Sequence, residues 1–436
     1  MERLTSFFVW LRMRSFFRVT QRTLVSLMPL ALISAVFQFL ASSFFSSDSL
    51  LFNLVNLEAY LPKWLTIGAW NVANGVTTLI NGFFGVFVAY LSAQYTARLY
   101  RKNTQMAGTT GVMALLLISY RYFPRDQVRM TTTHPLVLLN WRLINLDSIL
   151  FAFIVGYAVG QLFHWLGQTT PHDHTVRLQV VQDRSFMAFK PIIVALSLAL
   201  LIGLVGDWFG SRSFLASFYN AIQSSGFSNH EFLWTVLILA FVLTIGWSGM
   251  IYPLTILQSA NSNGTAVANM NAAFLHGSSW KVPYPLFGPS LLNTYASVAL
   301  PLVLMLLFTV KKEETFKVSK LSLLPVLFNS NLGLILGVPI ILNPVYMIPF
   351  IGIPIVNVLL AAGAITLKLI PASAYPVLLG TPSILKAFVA TNGYWGTLIF
   401  ALLLLVLDSV LFLPFIRLSQ KVEQHLAEDG REEALK

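Results

Sequence analysis

Hydrophobic positions in this chain come in long blocks, with neither the strict alternation of a half-buried strand nor the single stripe of a soluble amphipathic helix. The blocks fall at 24–45, 72–93, 149–166, 186–205, 291–310 and 395–415. Each is close to the roughly 20 apolar residues that an α-helix needs to cross a bilayer. A shorter, weaker run at 107–120 is a further candidate span. Another, 230–257, is interrupted at Gly246, Trp247, Ser248 and Gly249 and again at Pro253. The pattern predicts an all-α integral membrane protein with several passes.

Three apolar stretches are broken in a way that lipid-facing helices are not. In 328–365 (FNSNLGLILGVPIILNPVYMIPFIGIPIVNVLLAAGAI), Pro339, Pro344, Pro349 and Pro354 recur with Gly333, Gly337 and Gly352 between them. The stretch carries no charge, and Asn329, Asn331, Asn343 and Asn357 are its amides. Residues 258–290 combine Asn261, Asn263, Asn269 and Asn271 with Pro283, Pro285 and Pro289, and 371–393 repeats the breakers at Pro376, Gly380, Pro382 and Gly393. Unpaired backbone groups are tolerated at membrane depth only where they are buried in protein or line a cavity. Transporters build their midplane binding sites from such discontinuous helices. The first two stretches therefore predict re-entrant or cavity-lining hairpins, and 371–393 a further partial span.

Composition agrees with the blocks. Of 436 residues 56% are hydrophobic and 10% charged, against about 25% charged in soluble domains, and mean hydropathy is +0.71. A soluble enzyme is excluded on that balance. There is no cysteine, which excludes disulfides and thiolate chemistry. The net charge of +11 is assigned to the cytoplasmic face of a membrane protein, where Lys and Arg accumulate, and not to nucleic acid. Arg12, Arg14 and Arg18 interleave with Phe7, Phe8, Trp10, Phe16 and Phe17 in 1–23. That segment reads either as an amphipathic helix lying on anionic lipid or as an ordinary cap on the bundle. Arg98, Arg101 and Lys102, and the Lys-rich 311–320, mark further cytoplasmic returns, the latter expected as a compact loop. Basic residues in 121–142 conflict with the parity of the spans and leave 107–142 undecided. No cleavable leader is expected, because the run after the basic start is too long for one.

Candidate chemistry is sparse. His172, Asp173 and His174 lack the third and fourth ligands of a zinc site, so neither metal nor cofactor is expected. His164 and Lys190 read as residues whose polar ends snorkel to the interface. Asp408 lies inside the last apolar block.

The 328–357 segment resembles the membrane-embedded IIC component of the sugar phosphotransferase system, lactose/cellobiose (diacetylchitobiose-like) type. The residues that carry the likeness are Phe328, Asn329, Asn331, Gly337, Pro339, Leu342, Asn343, Pro344, Ile348, Pro349, Phe350, Pro354, Val356 and Asn357. SKLSLLPVLFN before it, TPSILKAFVATNGYWGTLI and LDSVLFLPF after it, and NGFFGVFVAYLSAQYTARLY and FAFIVGYAVG nearer the N-terminus are similar to family segments. The resemblance implies about ten transmembrane helices plus re-entrant hairpins in a two-part permease fold. It divides the chain into a basic segment 1–23, an N-terminal half 24–210 that forms a homodimer, a connector 211–229, a sugar-binding half 230–416 and a cytoplasmic tail 417–436. It implies a bacterial cytoplasmic membrane with both termini inside, a saccharide substrate (a disaccharide), and a IIB partner that phosphorylates the sugar 6-hydroxyl.

Two positions depart from the family pattern. Glu-Pro is expected after the Phe-Asn-x-Asn, where Leu332 and Gly333 stand, and His before a Gly where Ser248 stands. A carboxylate can accept the hydrogen bond of an attacking hydroxyl; Leu332 can accept none. His276 either substitutes for the missing histidine or is a hydrogen-bonded loop residue. The expected substrate-binding set is Trp247, Ser248, Asn261, Asn263, His276, Asn329, Asn331, Leu332 and Asn343, with no catalytic residue. Three readings stay open: a coupled permease, a non-phosphorylating transporter or sensor, and a lipid- or peptide-handling protein that kept the fold.

Overall fold

The first apolar block folds as one helix that begins well before the block does. In this computed structural model, which describes residues 2–122, 139–168, 186–208, 297–310, 312–375 and 380–435 with 240, 243–244, 274–275, 294–295 and 377–378 between them, α1 is Glu2–Met13 and α2 is Ser15–Phe39. The α2 helix runs on as a π-helical stretch, Leu40–Phe44. Two short helices follow, α3 (Leu50–Val55) and α4 (Leu57–Tyr60), the first capped by Ser49, whose Oγ accepts from the Phe52 N–H at 3.2 Å.

The block at 72–93 is divided between two helices: α5 is Lys63–Gly82 and α6 is Phe84–Leu99. Phe83 leaves the helical conformation between them, with φ −102° and ψ 7°. Then come α7 (Thr104–Ser119), α8 (Trp141–Ile144), α9 (Ile149–Leu166) and α10 (Phe189–Trp208). The α6, α7 and α9 helices pack closely because their facing positions are small. Ala89, Ala93, Ala97, Ser92 and Thr96 are fully buried, and a Cβ on Gly156 would collide with Ser92 and the Ala89 carbonyl. Small residues that let backbones approach are how helices associate in lipid. Lys190 is exposed at the start of α10, and His164 stacks on Tyr100 with ring centroids 3.7 Å apart.

The C-terminal described part comprises α11 (Ala299–Thr309), α12 (Glu313–Leu327), α13 (Leu332–Gly337), α14 (Pro344–Thr366), α15 (Ser383–Ala390) and α16 (Trp395–Leu435). Residues 311–320 were expected as a loop, but most of them form the first turns of α12. Glu313 and Glu314 sit in its first turn, where the helix dipole favours negative charge, and Lys317 Nζ reaches Glu313 Oε1 at 2.7 Å one turn later. The last apolar block and the charged tail are a single helix. Pro349 and Pro354 lie inside α14, so the breakers of 328–365 interrupt its first half only.

Among the described residues six helical stretches are long and apolar enough to cross a membrane, with α7 and α11 as shorter apolar helices. One core joins α2, α6, α7, α9, α10 and α13 with α11 and parts of α12, α14 and α16. A second joins α14 to α16 through Val358, Ala361, Ala362, Ile365 and Leu404. A third, small cluster of Phe8, Val345 and Val422 fixes α1 across the start of α14 and the later turns of α16. Beside it Arg12 is buried. With its amide turned so that the oxygen faces the guanidinium, Gln21 accepts from Arg12 Nε at 2.7 Å and Nη2 at 2.9 Å. Burial lowers the Arg12 pKa from its ordinary value, and the nearby Glu423 opposes that shift.

Candidate functional site

The buried amide side chains among the described residues, Asn331, Asn343 and Asn357, lie in 328–343 and on the helix that follows it. After α12, Asn329 adopts a left-handed conformation (φ 67°), which Asn tolerates better than most residues. Its Nδ2 donates to the Thr381 carbonyl at 2.8 Å and its Oδ1 accepts from Ser383 Oγ at 3.2 Å. Asn329 thus ties the broken stretch to the start of α15. Asn331 precedes α13 and is 6% exposed, with no donor to its Oδ1 among the described residues.

Leu332 is 1% exposed and packed into the main core. The helix it opens leans on α2, where a Cβ on Gly333 would lie 2.7 Å from Leu32 Cδ2. Asn343 caps α14: its Oδ1 accepts from the Val345 N–H at 3.2 Å, and its Nδ2 donates to the Pro339 carbonyl at 2.9 Å. Pro344 follows at the first helical position, which has no partner for an N–H in any case. Of the expected set, Asn329 and Asn331 flank one turn, while Leu332 faces the core and Asn343 holds backbone. Trp247, Ser248, Asn261, Asn263 and His276, the hairpin expected at 258–290, and the His172-Asp173-His174 triplet lie outside the described residues.

A second polar group was not assembled from the sequence. Asn357, on α14, donates from Nδ2 to Asp408 Oδ2 on α16 at 2.8 Å and to the Tyr295 carbonyl at 3.3 Å. Both side chains are buried, at 1% and 2% exposure. Asn357 Oδ1 and Asp408 Oδ1 have no donor among the described residues. They line a cavity of about 40 Å³ together with Thr294, Ser297 and Ser383. The available sequence signal was Asp408 itself, since an ionisable residue within a span points to function by default. Its partner, 51 positions away, could not be read. Among the described residues there is no cluster of His, Cys, Asp or Glu fit to hold a metal ion.

No family model matches the chain. Similar curated proteins do exist. The chain is 23% identical over 361 residues to the PTS system oligo-beta-mannoside-specific EIIC component of Bacillus subtilis (strain 168), covering 79% of each. It is 31% identical over 123 residues to the PTS system cellobiose-specific EIIC component of Lactococcus lactis subsp. lactis (strain IL1403), covering 28% of this chain and 25% of that one. With the PTS system lactose-specific EIICB component of Lacticaseibacillus casei it shares 29% over 144 residues, covering 31% and 25%. A solved structure, the transporter ChbC, the IIC component from the N,N'-diacetylchitobiose-specific phosphotransferase system, aligns over 96% of both chains with 19% identity and a TM-score of 0.43. The resemblance read from 328–357 therefore extends over most of the chain, which is similar along 79% of its length to an EIIC component of a sugar phosphotransferase system.

Proposed function

We propose that this chain is the permease component of a sugar phosphotransferase system, which binds a saccharide within its helical bundle and passes it to the cytoplasm. The observation that carries the reading is the likeness to an oligo-beta-mannoside EIIC component over 79% of both chains. The broken 328–343 stretch supports it, since it places amides and turn backbone beside a span, as a midplane site requires. In this reading the substrate is a disaccharide, and a phosphorylated IIB protein modifies its 6-hydroxyl on the cytoplasmic side.

The chain works as a homodimer through 24–210 and binds sugar with 230–416. Close packing of α6, α7 and α9 supports the first half as the fixed part. Contact of Phe8 with Val345 and Val422 supports both termini on one side of the bundle, and the arginines of 1–23 favour the cytoplasmic side. Phe7 and Trp10, each about half exposed, with Arg14 over the Trp10 ring at 4.4 Å, suit a helix that touches lipid headgroups. Asn329, Asn331, Trp247, Ser248, Asn261, Asn263 and His276 remain the sugar-binding set. Asn343 and Leu332 support it by shaping the turn. The alternative, a transporter or sensor without phosphorylation, rests only on the missing acidic and histidine positions.

Membranes carrying the protein, supplied with phosphorylated IIB and labelled β-linked disaccharides, will yield a sugar 6-phosphate. Binding of a disaccharide with no phosphorylated product would move the reading to the alternative. Absence of binding to any saccharide would end both.

A further inference from the structure

Asn357 and Asp408 leave an unusual deficit at membrane depth. The amide group of Asn357 already donates to Asp408 Oδ2 and to the Tyr295 carbonyl. What remains are two acceptors, Asn357 Oδ1 and Asp408 Oδ1, on side chains almost wholly withdrawn from solvent and with no donor among the described residues. The ion pairs found among the described residues involve only Lys312, Lys317, Glu313, Glu314 and Glu423. A buried carboxylate oxygen without a donor is destabilising. The missing piece is a donor that can enter the bundle.

The walls say which kind. Thr294, Ser297 and Ser383 border the same cavity, and hydroxyls both give and take hydrogen bonds. A polyol can use both functions, whereas a cation could use only the oxygens. At about 40 Å³ the cavity has room for about two or three waters, which suits one hydroxyl or hydroxymethyl group and not a sugar ring. Ser383 also reaches Asn329 Oδ1 at 3.2 Å, so the cavity adjoins the broken stretch. Leu332 offers no acceptor there.

We propose that the Asp408 carboxylate, with the Asn357 amide oxygen beside it, receives one hydroxyl group of the bound saccharide and so fixes how the sugar lies in the bundle. This rests on the sugar-permease reading and deepens it. Asp408 is here a ligand-contacting and specificity-determining group, and no covalent step is assigned to it.

The test uses the full-length protein in detergent. Affinities are measured for cellobiose, lactose and N,N'-diacetylchitobiose, and then for the monodeoxy derivatives of the tightest binder. In the wild type, one monodeoxy derivative should bind about tenfold more weakly than its parent, the worth of one buried hydrogen bond. Asp408→Asn should shrink that ratio to about threefold or less, leaving the ratios for the other derivatives in place. Ser383→Ala keeps the Asp408–Asn357 pair intact and should weaken discrimination at the same hydroxyl; it serves as the second reading if Asp408→Asn does not fold. Equal loss for all derivatives in both variants would make the pair purely structural and overturn the proposal. So would stabilisation by sodium chloride over choline chloride that disappears in Asp408→Asn while sugar discrimination survives. Failure of the wild type to bind any of the three saccharides would overturn the permease reading as well.

Discussion

Leu332 stands where the family pattern expects a carboxylate, so the direct test is Leu332→Glu, and the structure predicts damage where the sequence alone invites repair. Leu332 is 1% exposed within the main core. Its helix leans on Leu32, midway along a span running from Ser15 to Phe44, which puts the position at membrane depth. Lipid is as apolar as leucine, so the gain from burying Leu332 is mainly packing, and losing it should cost about 2 kcal/mol, the lower end for core truncations. A carboxylate at a helix centre in the membrane adds about 3 kcal/mol. The sum, about 5 kcal/mol, is comparable to the whole stability of many domains. Chemical unfolding of the purified protein should therefore show Leu332→Glu strongly destabilised and Leu332→Ala less so. If Leu332→Glu unfolds with wild-type stability and gains sugar phosphorylation, position 332 faces a polar site and the packing argument is wrong.

Gly156→Leu should prevent assembly of α6 against α9, because even a Cβ there would meet Ser92 and Ala89; a folded, monodisperse variant in size-exclusion chromatography would contradict the close approach. Asn343→Ala should lose about 1 kcal/mol, the usual worth of a helix cap, without changing the ranking of sugars. A reordered ranking would place Asn343 in the site. Phe8→Ala should free the N-terminal helix from Val345 and Val422, raising protease cleavage within 1–23; unchanged cleavage would show that Arg12 and Gln21 hold the helix alone.

The spans were legible because block length is matched to bilayer thickness, a constraint independent of tertiary contacts. The block at 149–166 coincides with α9 for that reason. The break at Phe83 was only half legible: it follows Asn81-Gly82, a turn-favouring pair, but nothing local shows the tertiary packing that holds Gly85 against the Ile144 backbone. Residues 311–320 were misread because their charge density suggested a solvated loop, although Glu313, Glu314 and Lys317 carry the charge order of a helix start. Pro349 and Pro354 looked like breakers, but neighbouring helices in a membrane bundle can re-satisfy the freed groups. Of the candidate site, the amides of 328–343 were visible individually. Their duties were not, since Asn343 and Asn331 look alike in sequence, and one caps a helix while the other has an oxygen with no donor among the described residues.

The two arms of the broken stretch are held by different neighbours, and that decides where any movement between the two proposed halves would be absorbed. The α13 helix leans on α2; a Cβ on Gly337 would collide with Val318 Cγ1 of α12 and lie 3.2 Å from Met28 Cγ of α2. The α14 helix packs on α16 through Asn357 and Asp408. Between them lies the turn 338–343, with Leu342 left-handed at φ 54° and Asn343 bonded to both sides of the turn. If the sugar-binding half slides against the N-terminal half, either α13 travels with α14 and the Met28 contact breaks, or α13 stays on α2 and the turn flexes. The chain has no cysteine, so Met28→Cys with Gly337→Cys can be cross-linked selectively, in a Val318→Ala background that makes room for the new Cβ at 337. The close approach of Gly333 to Leu32 and the bonds of Asn343 favour a static α13, and transport should survive the cross-link at close to its uncrosslinked rate. Transport lost on oxidation and restored by reduction would show instead that α13 moves with the sugar-binding half, placing the sliding surface between α13 and α2.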